Sequence, residues 1–143
     1  MRFELIDRVI EREPDRLVAI KRVSRAEEYL QDHFPTFPVL PGVMMLEAMV
    51  QAGRELISDR VDPAGPPVVL GGVRALKYGK FVMPGATLRV EVKTRGEVAS
   101  DGGCELDAKA FLVEADGSEG GVAASGRLTL RPAIGATSPS AAD

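Results

Sequence analysis

His33-Phe34-Pro35-Thr36-Phe37-Pro38-Val39-Leu40-Pro41-Gly42-Val43-Met44-Met45-Leu46-Glu47-Ala48-Met49-Val50-Gln51-Ala52 joins two conformations that cannot be mixed. Its first half holds the chain's single histidine, with three prolines and a glycine at its end. Each proline locks φ and removes an N–H, so this half is an irregular loop. From Val43 there is no Gly or Pro until Gly53, and Leu, Met, Ala and Glu are strong helix formers, which predicts a helix from Val43 onward, ahead of the polar loop that begins at Ser58. Nearly every side of that helix is apolar, which predicts burial on nearly every side. Glu47 and Gln51 are four apart and share one face.

A carboxylate in such a helix needs a partner or a chemical task. Taken singly, a loop histidine is ordinarily structural, and a helix glutamate ordinarily pairs with an arginine. Together they ask for more. A histidine able to titrate near neutrality, a carboxyl group in apolar surroundings and the free amides of a helix start supply a base, an acid and an oxyanion donor. Those are the parts of a proton-transfer site beside a carbonyl.

The rest of the composition narrows the setting. The 143 residues, 45% hydrophobic and 27% charged, suit one globular domain with a sizeable core. The expected domain spans residues 1–131, with a small, polar and disordered tail at 132–143. One cysteine, Cys104, excludes an internal disulfide and offers no metal cluster. The net charge of −3, with Lys and Arg scattered, argues against a nucleic-acid binder. Acids by the seventh residue speak against a secretory signal, and no apolar run approaches a membrane span of about 18 residues. A cytoplasmic location without membrane insertion is expected.

Around the central stretch the chain reads as strands. Residues 3–11 and 16–23 flank a turn at Glu13-Pro14-Asp15. Ser24 and Glu27 form a capping-box pattern for a short helix over 25–31. A polar loop covers 58–67, and strands follow at about 68–77, 86–98, 104–115 and 121–131. Leu88, Val90 and Val92 alternate with Arg89, Glu91 and Lys93, and Leu128 and Leu130 with Thr129 and Arg131. Each strand thus has one apolar and one wet face, as in an antiparallel sheet covered on one side. One apolar helix and one long sheet give an α+β fold in which the sheet curls around the helix. A single subunit wraps the helix incompletely, so edge-to-edge pairing into a homodimer is expected.

The run from His33 to Ala52 resembles the signature of the FabZ and FabA 3-hydroxyacyl-[acyl-carrier-protein] dehydratases, and is nearer to FabZ. In that family a His-Phe-Pro element leads through Pro-Val and Pro-Gly into a helix carrying Glu-Ala-Met-x-Gln-Ala. Leu5-Ile6-Asp7-Arg8-Val9 is similar to the family's opening strand, and Lys80-Phe81-Val82-Met83-Pro84-Gly85 to a later loop, so the likeness runs over about residues 3–130. The chain departs from the pattern at Thr36, where the family commonly has glycine, and at Gly79. The resemblance implies a hot-dog fold, in which a curved antiparallel sheet wraps a long central helix. It implies dehydration of (3R)-hydroxyacyl thioesters in fatty acid or related lipid biosynthesis, with no cofactor or metal. The substrate would arrive on the phosphopantetheine of an acyl carrier protein.

The implied roles follow residue by residue. His33 takes the C2 proton, and Glu47, from the other subunit of a dimer or a trimer of dimers, protonates the departing hydroxyl. FabA relatives that also isomerise the double bond carry Asp where Glu47 stands, so glutamate favours dehydration alone. Gly42 and Val43 offer backbone amides to the thioester oxygen, although Gly42 also reads as a simple turn glycine. Phe34, Gln51 and Tyr78 contact or orient the substrate. Gln51 reads equally as a packing residue, and Tyr78 as a core or edge tyrosine. Arg74, Lys77 and Lys80 form a basic cluster for the acidic carrier, or a solvated strand face. Two other readings share the fold: an acyl thioesterase, and a non-catalytic subunit that binds acyl chains or their carrier.

Overall fold

The computed structural model describes residues 5–24 and 40–133. The predicted short helix with its Ser24–Glu27 capping box, the loop bearing His33 and Phe34, and the tail from residue 134 lie outside the described residues. Six strands and one long helix make up the rest: β1 (Arg8–Glu13), β2 (Arg16–Arg22), α1 (Gly42–Leu56), β3 (Val68–Tyr78), β4 (Thr87–Arg95), β5 (Cys104–Val113) and β6 (Glu119–Pro132), with a 3-10 turn at Ser58–Arg60. The strands form one antiparallel sheet in the order β1-β2-β4-β5-β6-β3.

Alternation along the central strands makes the sheet one-sided. Leu88, Val90 and Val92 of β4, Leu106, Ala108 and Ala110 of β5, and Leu128 and Leu130 of β6 are all buried. They pack on Met45, Ala48, Met49, Ala52 and Leu56 of α1 in one continuous core. At about 25 cal/mol per Å² of apolar surface removed from water, this layer is the main favourable contribution to the fold. Register shifts interrupt β1–β2, β3–β6 and β5–β6 pairing. Such bulges add bend and twist, which lets a sheet follow a cylinder. The predicted α+β hot-dog arrangement is therefore the observed one.

The helix does not end at Gly53 but runs through it to Leu56, and several expectations around it need correction. Gly53 is a point of close approach: a Cβ there would lie 2.4 Å from Leu106 Cδ1, inside any tolerable contact. Nor is α1 buried all round. Val43 is 63% exposed, and Met44, Leu46, Glu47 and Gln51 are half-buried. Finally, β1 and β3, the two edge strands, lack the clean two-faced pattern. Strand ends shift by a few residues: β1 begins at Arg8 rather than residue 3, β4 and β5 end earlier than predicted, and β6 runs on to Pro132. The start of the predicted tail is tied down, since Ala133 donates its N–H to Pro67 O at 2.7 Å.

The outer face of the sheet is wet and charged. Arg16 pairs in register with Lys93, Lys93 with Asp107, Asp107 with Arg127, and Arg127 with Arg74. Asp107 is the anion among these cations, 3.1 Å from Arg95 and 3.7 Å from Arg127. Exposed pairs of this kind are each worth about 0–1 kcal/mol, so the core and not this face sets stability.

Two substitutions test the packing. Gly53→Ala gains helix propensity but must displace Leu106 within a filled core; it should destabilise the protein by about 1–3 kcal/mol in denaturant titration. Ala75 sits in the bulge of β3 at φ 55, a left-handed conformation that alanine tolerates poorly. Ala75→Gly should raise stability by up to about 1 kcal/mol, read as a higher midpoint in the same titration.

Candidate active site

The start of α1 is set by backbone chemistry. Pro41 takes the N-cap position in an extended conformation with no side-chain cap, and its carbonyl accepts from Met44 N–H at 2.9 Å and Met45 N–H at 3.3 Å. Gly42 and Val43, ahead of these bonds, have no intrahelical acceptor for their amides. No acidic residue occupies the first turn, so the positive end of the helix dipole is not offset there. The approach to the helix is held from a distance in sequence: Leu40 N–H donates to Val82 O at 2.7 Å, and both residues are buried. The loop carrying Val82 is in turn stitched to the end of β2, by Val23 N–H to Ala86 O at 3.0 Å and Gly85 N–H to Val23 O at 2.9 Å.

Tyr78, at the end of β3, covers this helix start. A Cβ on Gly42 would meet Tyr78 Cε1 and Cζ at 3.0 Å. The ring is 49% exposed, so it forms a wall at the opening rather than part of the core. Phe81 at 71% and Met83 at 41% exposure add apolar surface in the loop that follows. Sequence pattern did not single these two out, because an apolar residue meant for a ligand or a partner looks like a core residue until its exposure is known.

Glu47 lies one and a half turns into the helix, half-buried rather than enclosed in this chain. Gln51 Nε2 donates to Glu47 Oε2 at 3.3 Å, and Gln51 Oε1 accepts from the Leu5 backbone N–H at 2.9 Å. The Leu5 amide can only donate, so the amide oxygen of Gln51 must face it and the amino group must face the carboxylate. Leu5 itself is buried in the core.

The basic residues are not assembled into one unpaired cluster. Arg74, with a side chain 69% exposed, reaches across to Glu105 at 3.7 Å. Lys77 and Lys80 are exposed at the end of β3 and in the loop after it, and Lys80 Cε lies 3.3 Å from where a Cβ on Gly121 would stand. His33 and Phe34 fall outside the described residues. Among the described residues, no group of three or more His, Cys, Asp or Glu side chains is placed to hold a metal, and no helix is long and apolar enough to cross a membrane. A separate cavity of about 690 Å³ opens at the other end of α1, beside Arg12, Pro14, Leu56 and Arg60. Its two arginines are engaged locally, Arg12 with Glu55 at 2.6 Å and Arg60 with Asp59 at 3.9 Å.

Residues 1–117 match the FabA-like domain. A 3-hydroxyacyl-[acyl-carrier-protein] dehydratase FabZ of Lactococcus lactis subsp. cremoris is 38% identical over 132 residues, covering 90% of this chain and 83% of that protein. The FabZ of Solibacter usitatus is 46% identical over 92 residues, which make up 64% of this chain and 57% of that protein. Among solved structures, a dehydratase heterocomplex from Xenorhabdus doucetiae superposes with a TM-score of 0.70 at 19% identity, covering 92% of this chain and 84% of that one. A hypothetical thioesterase with coenzyme A from Streptococcus pneumoniae gives 0.60 at 11% identity, covering 87% and 84%. At such identities the two structures speak for the fold alone. The family match and the Lactococcus relative each span most of the sequence: the chain belongs to the FabA-like family and is of the FabZ type.

Proposed function

We propose that this chain dehydrates (3R)-hydroxyacyl-carrier-protein thioesters to trans-2-enoyl thioesters in fatty acid or related lipid biosynthesis, in the cytoplasm and without a cofactor of its own. The observation that carries the reading is the placing of Glu47. It is held by Gln51 on a helix whose open, uncapped start lies under Tyr78.

The chemistry follows from what those groups can do. A neutral His33 takes the C2 proton, and the electrons of that C–H bond form the C2–C3 double bond as the C3–O bond breaks. Glu47 in its acid form gives its proton to the departing hydroxyl, which leaves as water. Proton transfer from the histidine back to the carboxylate, through water, restores both groups. Gln51 occupies Oε2 of Glu47 and leaves Oε1 to turn toward the hydroxyl. The thioester oxygen gains enolate character during proton removal, and the Gly42 and Val43 amides at the positive end of α1 stabilise it. About 7.5 Å of axial rise separates Gly42 from Glu47, and helix side chains lean toward the N-terminus, so one acyl head group can reach both.

A homodimer is the smallest active assembly in this reading. β1 and β3 are the edges of the sheet, and pairing across an edge would cover the exposed flank of the helix. His33 of one subunit then faces Glu47 of the other, with a trimer of dimers as the larger form. The carrier docks at Lys77, Lys80 and Arg74, with Arg74 giving up Glu105 for the carrier's acids. Tyr78, with Phe34, lines the way in for the acyl chain.

Turnover on crotonyl and longer enoyl carrier-protein thioesters, followed at the enoyl absorbance, tests the reading. His33→Ala and Glu47→Ala should each lower kcat by about 10²–10⁴-fold while leaving a folded protein. Inertness of the folded wild-type chain on every chain length would overturn it, and thiol release from a saturated acyl thioester would point to a thioesterase instead.

A further inference from the structure

We propose that Asp7 is a positioning residue for Glu47, acting through the backbone amide of Leu5 and the side chain of Gln51. The proposal rests on the dehydratase reading above. Asp7 lies ahead of β1 and is fixed to β2 by three bonds. Its N–H donates to Ile20 O at 2.8 Å, its Oδ2 accepts from Arg22 N–H at 2.7 Å, and its Oδ1 lies 3.4 Å from Lys21 Nζ. Lys21 is the buried cation of the described residues, 7% exposed, and the Asp7 carboxylate contributes to balancing its charge. Two residues upstream, the side chain of Leu5 is sealed in the core and its N–H holds Gln51 Oε1 at 2.9 Å. The segment is thus fastened at both ends, and the Leu5 N–H, at one of them, has little room to move.

That fastening matters because of the symmetry of a primary amide. Rotated by half a turn, Gln51 would place its carbonyl oxygen on Glu47, where it would repel the carboxylate or draw the acid's proton away from the substrate. A donor fixed on the far side removes this alternative and leaves the amino group on Glu47. The carboxylate therefore takes its direction from the sheet, through Asp7, Leu5 and Gln51, rather than from α1 alone. Glu47 acts on the leaving hydroxyl as the C–O bond breaks, so a loss of its direction falls on kcat and leaves substrate binding nearly unchanged.

The test is a double-mutant cycle on the full chain with Asp7→Ala and Gln51→Leu, using crotonyl carrier-protein thioester as the probe. Exchange of the Leu5 amide with solvent, followed by NMR, is the second readout. Each single variant should lower kcat by about fivefold with KM changed less than about twofold, and the double variant should be no slower than Gln51→Leu. Leu5 exchange should quicken by about tenfold or more in Asp7→Ala. Losses that multiply in the double variant, or wild-type kcat and Leu5 exchange in Asp7→Ala, overturn the proposal. If Asp7→Ala does not fold, Asp7→Asn keeps one oxygen for the Arg22 N–H and replaces it in the cycle, with the same non-additivity expected. A wild-type chain inert on every thioester defeats the dehydratase reading by itself; Leu5 exchange then decides the tie, and unchanged exchange overturns it.

Discussion

The close approach of α1 to β5 at Gly53 sets the rotation of the helix, and with it nearly everything near Glu47. No side chain fits between Gly53 and Leu106. The small residues Ala48 and Ala52 lie on the same buried side of the helix, and both are completely covered. A helix seated on small residues can come near a sheet only in one orientation. Once that orientation is taken, Met45, Met49 and Leu56 are carried into the core, and Glu47 and Gln51 come to its margin at half burial. A carboxylate deeper in the core would be hard to ionise, and one on the open surface would be surrounded by water. At the margin the carboxylate keeps both its bond to Gln51 and contact with solvent.

The same seating explains why the helix start stands open. Pro41 cannot cap with a side chain, and the chain before it is secured by the bond from Leu40 to Val82. Among the described residues, no acid of the first turn takes up the first amides of α1. Glycine at position 42 keeps room for the Tyr78 ring beside those amides. The loop holding Val82 is bonded to the end of β2, so the opening is framed by the sheet on one side and by the helix on the other. Rigid backbone on both sides is what a site needs if its donors are to be in place before a substrate arrives.

Much of this was legible in the chain. The alternation in β4 and at the end of β6 named buried residues correctly, because side chains on a strand must face opposite sides. The helix, its face bearing Glu47 and Gln51, and their contact followed from composition and a spacing of four. Gly53, a poor helix former in isolation, stands inside the helix because a Cβ there would lie only 2.4 Å from Leu106 Cδ1. The helix was read as wholly buried because hydropathy cannot distinguish an apolar side chain that meets the core from one, such as Val43, that meets an opening.

The sequence by itself therefore determined the fold class and the family, since these depend on local periodicity and on short ordered motifs. Only the tertiary structure decided that Leu5 meets Gln51 beside Glu47, that Tyr78 faces Gly42, and that Arg74 is engaged with Glu105. Leu5 and Gln51 are 46 positions apart, and a contact across that distance exists only when the core has fixed both segments. Hydrogen bonds of this kind leave no period in the chain, because one donor and one acceptor meet at a single point in space.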